Sequence, residues 1–163
     1  MKASASTAST SGAANLPPHS ARQDFLVFRL ADREYGIALG KVQELCNFDI
    51  VKPRADAPRA MAGVVTLRSR KIAVVNLHEI LNPVSPKNSR PSDVVILDIG
   101  GHVNGIAVDC VVDVVSVRPE QIRCDQAPGM LGIADINQRA IVLLDADKLT
   151  TDFQPSPIQK LVA

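Results

Sequence analysis

Two aspartates four positions apart, Asp109 and Asp113, are the first residues in this chain with the types for chemistry. A carboxylate pair does general acid and base work when burial splits the two acidities. Here the surrounding DCVVDVVSV reads as strand and places the two on different arms of a hairpin. His78-Glu79 has the types of a metal pair, but His19 and His102 are isolated, and a capped surface helix accounts for the dipeptide. Cys46, Cys110 and Cys124 are odd in number and lack C-x-x-C spacing, which points to packed, reduced thiols in a cytosolic protein. No serine stands in G-x-S-x-G and no glycine-rich loop precedes a helix. Neither a catalytic residue nor a metal nor a cofactor is therefore expected. Contact chemistry remains. Arg68-Ser69-Arg70-Lys71 sets cations on a polar turn, and Glu44 stands among apolar neighbours in KVQELC, where an acid at a solvated rim selects a cationic partner.

The elements that position these residues are short strands. AGVVTLRSRKIAVVNL, residues 62 to 77, is two β-branched runs joined by the charged turn, a hairpin with a cationic tip. The same plan returns 69 positions later in GIADINQRAIVLLD. At that single offset Asp24 meets Asp93, Gly36-Ile37-Ala38 meets Gly105-Ile106-Ala107, and Val42 meets Val111. Arg54 meets Arg123, Asp56 meets Asp125, Met61 meets Met130, Gly63 meets Gly132, Arg70 meets Arg139 and Ile72 meets Ile141. The 11 identities over residues 24 to 81 mark two copies of one unit, 24–81 and 93–150, against the competing reading of two unrelated β-rich halves.

In chain order, residues 1–22 are a Ser, Thr and Ala tail expected to be disordered, 23–150 a folded domain, and 151–163 a second tail with Pro155 and Pro157. Strands are expected at Asp24 to Leu30, Tyr35 to Leu39 and Lys41 to Cys46, and a helical turn at Pro58 to Met61. Asn76 caps a brief helix with Glu79 reaching back, and the proline-rich segment 83–92 joins the copies. DVVILDIGGHVNGIAVDCVVDVVSV gives three more strands, whose near-continuous apolar character suggests burial on both faces. Many short strands and only two helical turns indicate an all-β fold of two small barrels.

Composition narrows the partners. Of the 163 residues 46% are hydrophobic and 21% charged, ordinary globular usage, and no apolar run approaches the roughly 20 residues of a spanning helix. Residues 23 to 163 carry 16 bases against 17 acids, and only 3% of the chain is aromatic. Nucleic-acid binding wants a basic excess and stacking platforms, so it is not expected. Direct membrane insertion is not expected either.

FLVFRLADREYGIALGKVQEL, AGVVTLRSRKIAVVNLHEIL, NGIAVDCVVDVVSV with PEQIR, and GIADINQRAIVLLDADKL together resemble the CheW family of bacterial chemotaxis coupling proteins. The resemblance spans residues 24 to about 150, with G-V-x-x-L-R at Gly63 to Arg68 its most specific part. It implies two intertwined five-stranded SH3-like barrels and a cytoplasmic adaptor without catalytic activity. Such an adaptor bridges the cytoplasmic tip of chemoreceptors and the regulatory domain of the CheA histidine kinase. Carried over residue by residue, it implies partner contacts at Val42, Glu44, Gly63, Arg68, Gly105, Val111 and Val114. Val42, Val111 and Val114 would form an apolar patch, with Glu44 and Arg68 giving charge selectivity at its edge. Three departures bear on partner choice: Ser69 stands where the family has glycine, Asn76-Leu77-His78 where it has D-L-R, and the segment from Arg123 to Gly132 is shortened. They leave a second reading, a paralogue in a non-flagellar pathway such as twitching motility or surface sensing that binds only one partner. A third, a small barrel enzyme or ligand binder, requires a deep polar pocket.

Overall fold

The computed structural model describes residues 21–57, 60–81, 90–124, 127 and 129–152. The strands are β1 Gln23–Leu30, β2 Arg33–Ala38, β3 Val42–Asn47, β4 Met61–Leu67, β5 Arg70–Asn76, β6 Asp93–Ile99, β7 His102–Val108, β8 Cys110–Val117, β9 Ile122–Arg123, β10 Met130–Ile136 and β11 Arg139–Leu144. Helices α1, Leu77–Leu81, and α2, Ala146–Asp152, follow β5 and β11, and single 3₁₀ turns flank β3 and precede β9. No helix among the described residues is long and apolar enough to cross a membrane. The tails lie outside the described residues, except for the exposed Ala21 and Arg22 and the end of α2, which runs on to Asp152. Met61 of the expected helical turn instead opens β4, while Pro58 and Arg59 lie outside the described residues.

The two sheets exchange their leading hairpins. One has the order β8-β1-β2-β11-β10-β9 and the other β3-β6-β7-β5-β4, so β1 and β2 complete the sheet of the second half, and β6 and β7 that of the first. The crossings are the parallel pairs β2–β11 and β7–β5, Tyr35 opposite Val142 and Ile106 opposite Val75. Each sheet then bends back on itself. β9 pairs with β10 just after β8 has left the opposite edge, and Lys52, a few residues beyond β3, bridges to Val64 of β4. Closure of this kind turns each sheet into a small barrel and removes most free edges.

Closure requires two glycines. Gly63, at φ 152°, lies against Lys52, and a Cβ there would stand 2.4 Å from the Lys52 carbonyl oxygen; Gly132, at φ 149°, meets the Arg123 carbonyl oxygen at 2.5 Å in the same way. The ladder also shifts register at both positions, after Met61 and after Met130. Gly63 and Gly132 are 69 apart but Lys52 and Arg123 are 71 apart. The link into the second closure is thus two residues shorter, and Arg54 and Arg123, matched at a uniform offset, do not occupy equivalent places. Lys52 is the counterpart of Arg123.

Three apolar clusters explain why leading strands are apolar on both faces. In β1, Phe25 and Val27 fill one barrel with Ile141 and Leu143, while Leu26, Phe28 and Leu30 face a layer between the barrels. In β6, Val94 and Ile96 fill the other barrel with Val65 and Val74, while Val95 and Leu97 face that same layer. The layer also takes Tyr35, Ile37, Leu77, Ile106, Leu144 and Leu149, with the Phe28 and Tyr35 rings stacked at 6.1 Å. Strand alternation sends successive side chains to opposite faces, so a strand sandwiched between a barrel interior and this layer must be apolar throughout. That expectation extended to β8 and fails there. Val112 and Val114 are 37% and 48% exposed and belong to none of the three clusters.

The charged hairpin turn is two residues, with Arg70 and Lys71 already in β5. Arg68 and Ser69 have φ 48° and 67°, and Asn137 and Gln138 of the β10–β11 turn have 50° and 67°. Positive φ at both central residues is the hairpin turn whose twist matches its strands. The turn keeps its shape without glycine, and Ser69 bears the strain. Ser69→Gly is therefore expected to stabilise the protein by about 0.5–1 kcal/mol, read as a raised thermal midpoint.

Candidate partner-binding surface

β3 presents alternate side chains to solvent. Val42, Glu44 and Cys46 are half-buried, whereas Gln43, Leu45 and Asn47 are exposed. Arg68 at the β4–β5 tip reaches Glu44, Nη1 to Oε1 at 2.9 Å, with the arginine side chain 75% and the glutamate 27% exposed. Since β3 and β4 are opposite ends of one sheet, this ion pair spans the seam where the barrel closes. A pair so exposed contributes about 0–1 kcal/mol to stability. Its consequence is instead to hold a guanidinium outward at the seam; on the same strand as Glu44, Leu45 is 47% exposed, and Ile50 just beyond it 44%. Burial pushes the Cys46 thiol up, and Glu44 and Asp93 push it further, so it stays protonated and unreactive at neutral pH.

The second barrel repeats the arrangement with different wiring. Asp113 of β8 stands 69 residues after Glu44, as Val114 does after Leu45. Asp113 accepts two hydrogen bonds from Arg139, Nη1 to Oδ2 at 3.1 Å and Nη2 to Oδ1 at 3.2 Å, while Arg139 Nε donates to Glu34 of β2 at 2.9 Å. Hydrogen bonding to Asp113 raises the Arg139 pKa further, against the opposing effect of desolvation, and Glu34 adds to the rise. Arg139 is only 29% exposed, so it clamps β2, β8 and β11 together rather than facing a partner. Arg139→Met leaves Asp113 without its partner and Glu34 with Arg29 alone, and is expected to cost about 1 kcal/mol in urea unfolding. Salt should shrink that cost, because part of it is electrostatic.

The structure divides the expected contact residues. Val42 and Val111 are half-buried and pack against the layer between the barrels. Val114 is exposed on β8, and Glu44 and Arg68 lie on the other sheet. Val42 and Val111 thus share one layer, while Glu44 and Arg68 belong to one sheet and Val114 to the other. Gly63 and Gly105 are buried and offer a partner nothing directly. At Gly105 a Cβ would meet Val74 and Val94 at 3.1 Å, so both glycines act through strand geometry. Sequence reasoning missed Leu45, Ile50 and the Glu34–Arg139–Asp113 clamp. The offset carried a signal for the clamp, since it aligns Asp113 with Glu44.

The chemistry weighed from sequence finds other uses. Asp109 accepts from the Ala31 backbone N–H at 2.7 Å, whereas Asp113 serves the clamp. His78 is buried at 4% exposure, not on a surface helix as expected, because α1 tucks in beside β7; its backbone N–H donates to the Asn76 cap at 3.2 Å. No group of three potential metal ligands occurs among the described residues. A surface groove of about 740 Å³ runs along the β1–β2 turn and β10–β11, between Arg29, Arg33 and Glu34 on one side and Ile133 and Val142 on the other.

Comparison with known proteins agrees with this architecture. A family model described as a CheW-like domain matches residues 24–154. The chain is 34% identical over 136 residues to the chemotaxis protein CheW of Klebsiella aerogenes, covering 78% of this chain and 81% of that protein. It is 27% identical over 135 residues to protein FrzA of Myxococcus xanthus, covering 78% and 84%. In fold it matches the crystal structure of the scaffolding protein TtCheW from Thermoanaerobacter tengcongensis, with TM-score 0.68 at 22% identity over 77% of this chain and 90% of that one. The closed hairpin-exchanged barrels and these matches lead to one conclusion: the chain belongs to the CheW family.

Proposed function

We propose that this protein is a non-catalytic, cytoplasmic chemotaxis adaptor that bridges the tips of chemoreceptors and the regulatory domain of a CheA-type histidine kinase. The observation that carries the reading is the pair of outward strands, β3 and β8, on one body. Each bears an exposed apolar residue, Leu45 or Val114, next to an acid held by an arginine from a hairpin tip, Glu44–Arg68 or Asp113–Arg139. Two such faces fastened through a shared apolar layer let one molecule hold two partners at a fixed relation. A change in the receptor then alters the kinase by shifting the relative energies of its states. Formation of a ternary complex tests this: receptor fragment, adaptor and kinase domain should co-elute at concentrations where each pair also binds. Failure to bind either purified partner at tens of micromolar would sink the reading.

The likeness to FrzA favours a second reading, a scaffold in another chemosensory pathway that binds only one of these partners. In that case one binary complex forms and the ternary complex does not.

A further inference from the structure

The two hairpin tips share a backbone and differ in charge. Both turns place two non-glycine residues at positive φ, so their side chains are presented alike. At the β4–β5 tip Arg68, Arg70 and Lys71 are all exposed, and Glu44 answers only Arg68. Neither Arg70 nor Lys71 has an ion-pair partner among the described residues. In register, Arg70 stands opposite Leu67 and Lys71 opposite Thr66, so the two cations leave β5 on opposite faces and the tip is positive from both sides. The β10–β11 tip carries Asn137 and Gln138, and its one arginine is bound by Glu34 and Asp113. One tip is cationic and the other neutral.

We propose that the β4–β5 tip docks on a protein surface bearing clustered carboxylates, with Arg70 and Lys71 as the residues that select it; this rests on the adaptor reading above. Cations concentrated on a protruding turn of an otherwise charge-balanced chain steer an acidic surface toward that end and away from the neutral tip. An anionic membrane fits the observations less well. Polybasic membrane segments use about 4–8 Lys or Arg, more than this tip holds, and its turn residues are polar.

The test measures association rates of the full chain with two probes in turn, the purified kinase regulatory domain and a soluble receptor-tip fragment, across a range of salt. For at least one probe the rate should fall about tenfold from low to high salt. Arg70→Glu with Lys71→Glu should lower the low-salt rate about tenfold more and flatten the salt dependence. Arg70→Gln with Lys71→Gln, which keeps the hairpin polar and uncharged, should fall between. Asn137→Glu with Gln138→Glu at the other tip should leave that rate unchanged. Equal rates for the native and charge-reversed chains would overturn the inference and leave the adaptor reading standing. Failure of the native chain to bind either probe would overturn both. Binding to phosphatidylserine vesicles that the reversal abolishes, with protein rates unmoved, would assign the tip to a membrane and overturn the protein partner.

Discussion

Arg68→Glu is expected to abolish coupling while leaving the fold intact. The side chain is 75% exposed and pairs with Glu44 at the surface, so replacing it disturbs little packing. The change in unfolding free energy should stay within about 1 kcal/mol. At the interface the effect is far larger. The introduced carboxylate faces Glu44 at the barrel seam, replacing a presented cation with two neighbouring negative charges. A buried, charge-selected contact turned repulsive costs about 2–4 kcal/mol, a roughly 30- to 1,000-fold weaker complex. Circular dichroism and thermal melting check the fold, and titration against the kinase domain and the receptor fragment checks the loss. Full kinase activation by the variant, or its unfolding, would contradict the account.

Gly63→Val is expected to act in the opposite way, through the fold. Its Cβ would fall 2.4 Å from the Lys52 carbonyl oxygen, and its backbone sits at φ 152°, where an L side chain is strained. The only relief is to move the Lys52 segment away from Val64, which breaks the hydrogen bonds from Lys52 N–H to the Val64 carbonyl at 2.8 Å and from Val64 N–H to the Lys52 carbonyl at 2.9 Å. Losing that closure alongside the strain should cost about 3 kcal/mol or more and lower the midpoint by about 10 °C. Binding should weaken only as far as the barrel opens. Gly132→Val should give a loss of similar size, because Arg123 occupies the matching position. A Gly63 variant with native stability but lost binding would instead make this glycine a direct contact.

The contrast between these two residues shows what the sequence could disclose. Strand positions were legible because alternation and turn residues are local, and the doubly apolar β6 correctly signalled burial on both faces. The same signal misled at β8. Whether an apolar face is covered depends on what the hairpin exchange packs over it, and Val114 belongs to none of the three clusters. That exchange is non-local and leaves no mark in composition. Family likeness pointed to Gly63 and Arg68 together, yet it could not say that one is interior and the other outward. The uniform offset found the repeated unit but hid a two-residue shortening, since coincident arginines, Arg54 and Arg123, kept it in apparent register. The clamp at Arg139 was illegible for a similar reason: Glu34 and Asp113 meet it from strands 105 and 26 residues away.

The central claim is that this protein couples receptor to kinase, and autophosphorylation of the kinase measures that coupling most directly. Receptor-containing membranes and the CheA-type kinase of the same genome would be mixed with and without the protein. The account predicts strong activation that requires the protein, is suppressed by attractant and is absent with Arg68→Glu. Kinase activity that is the same with and without the protein, under conditions where it binds both partners, would contradict it.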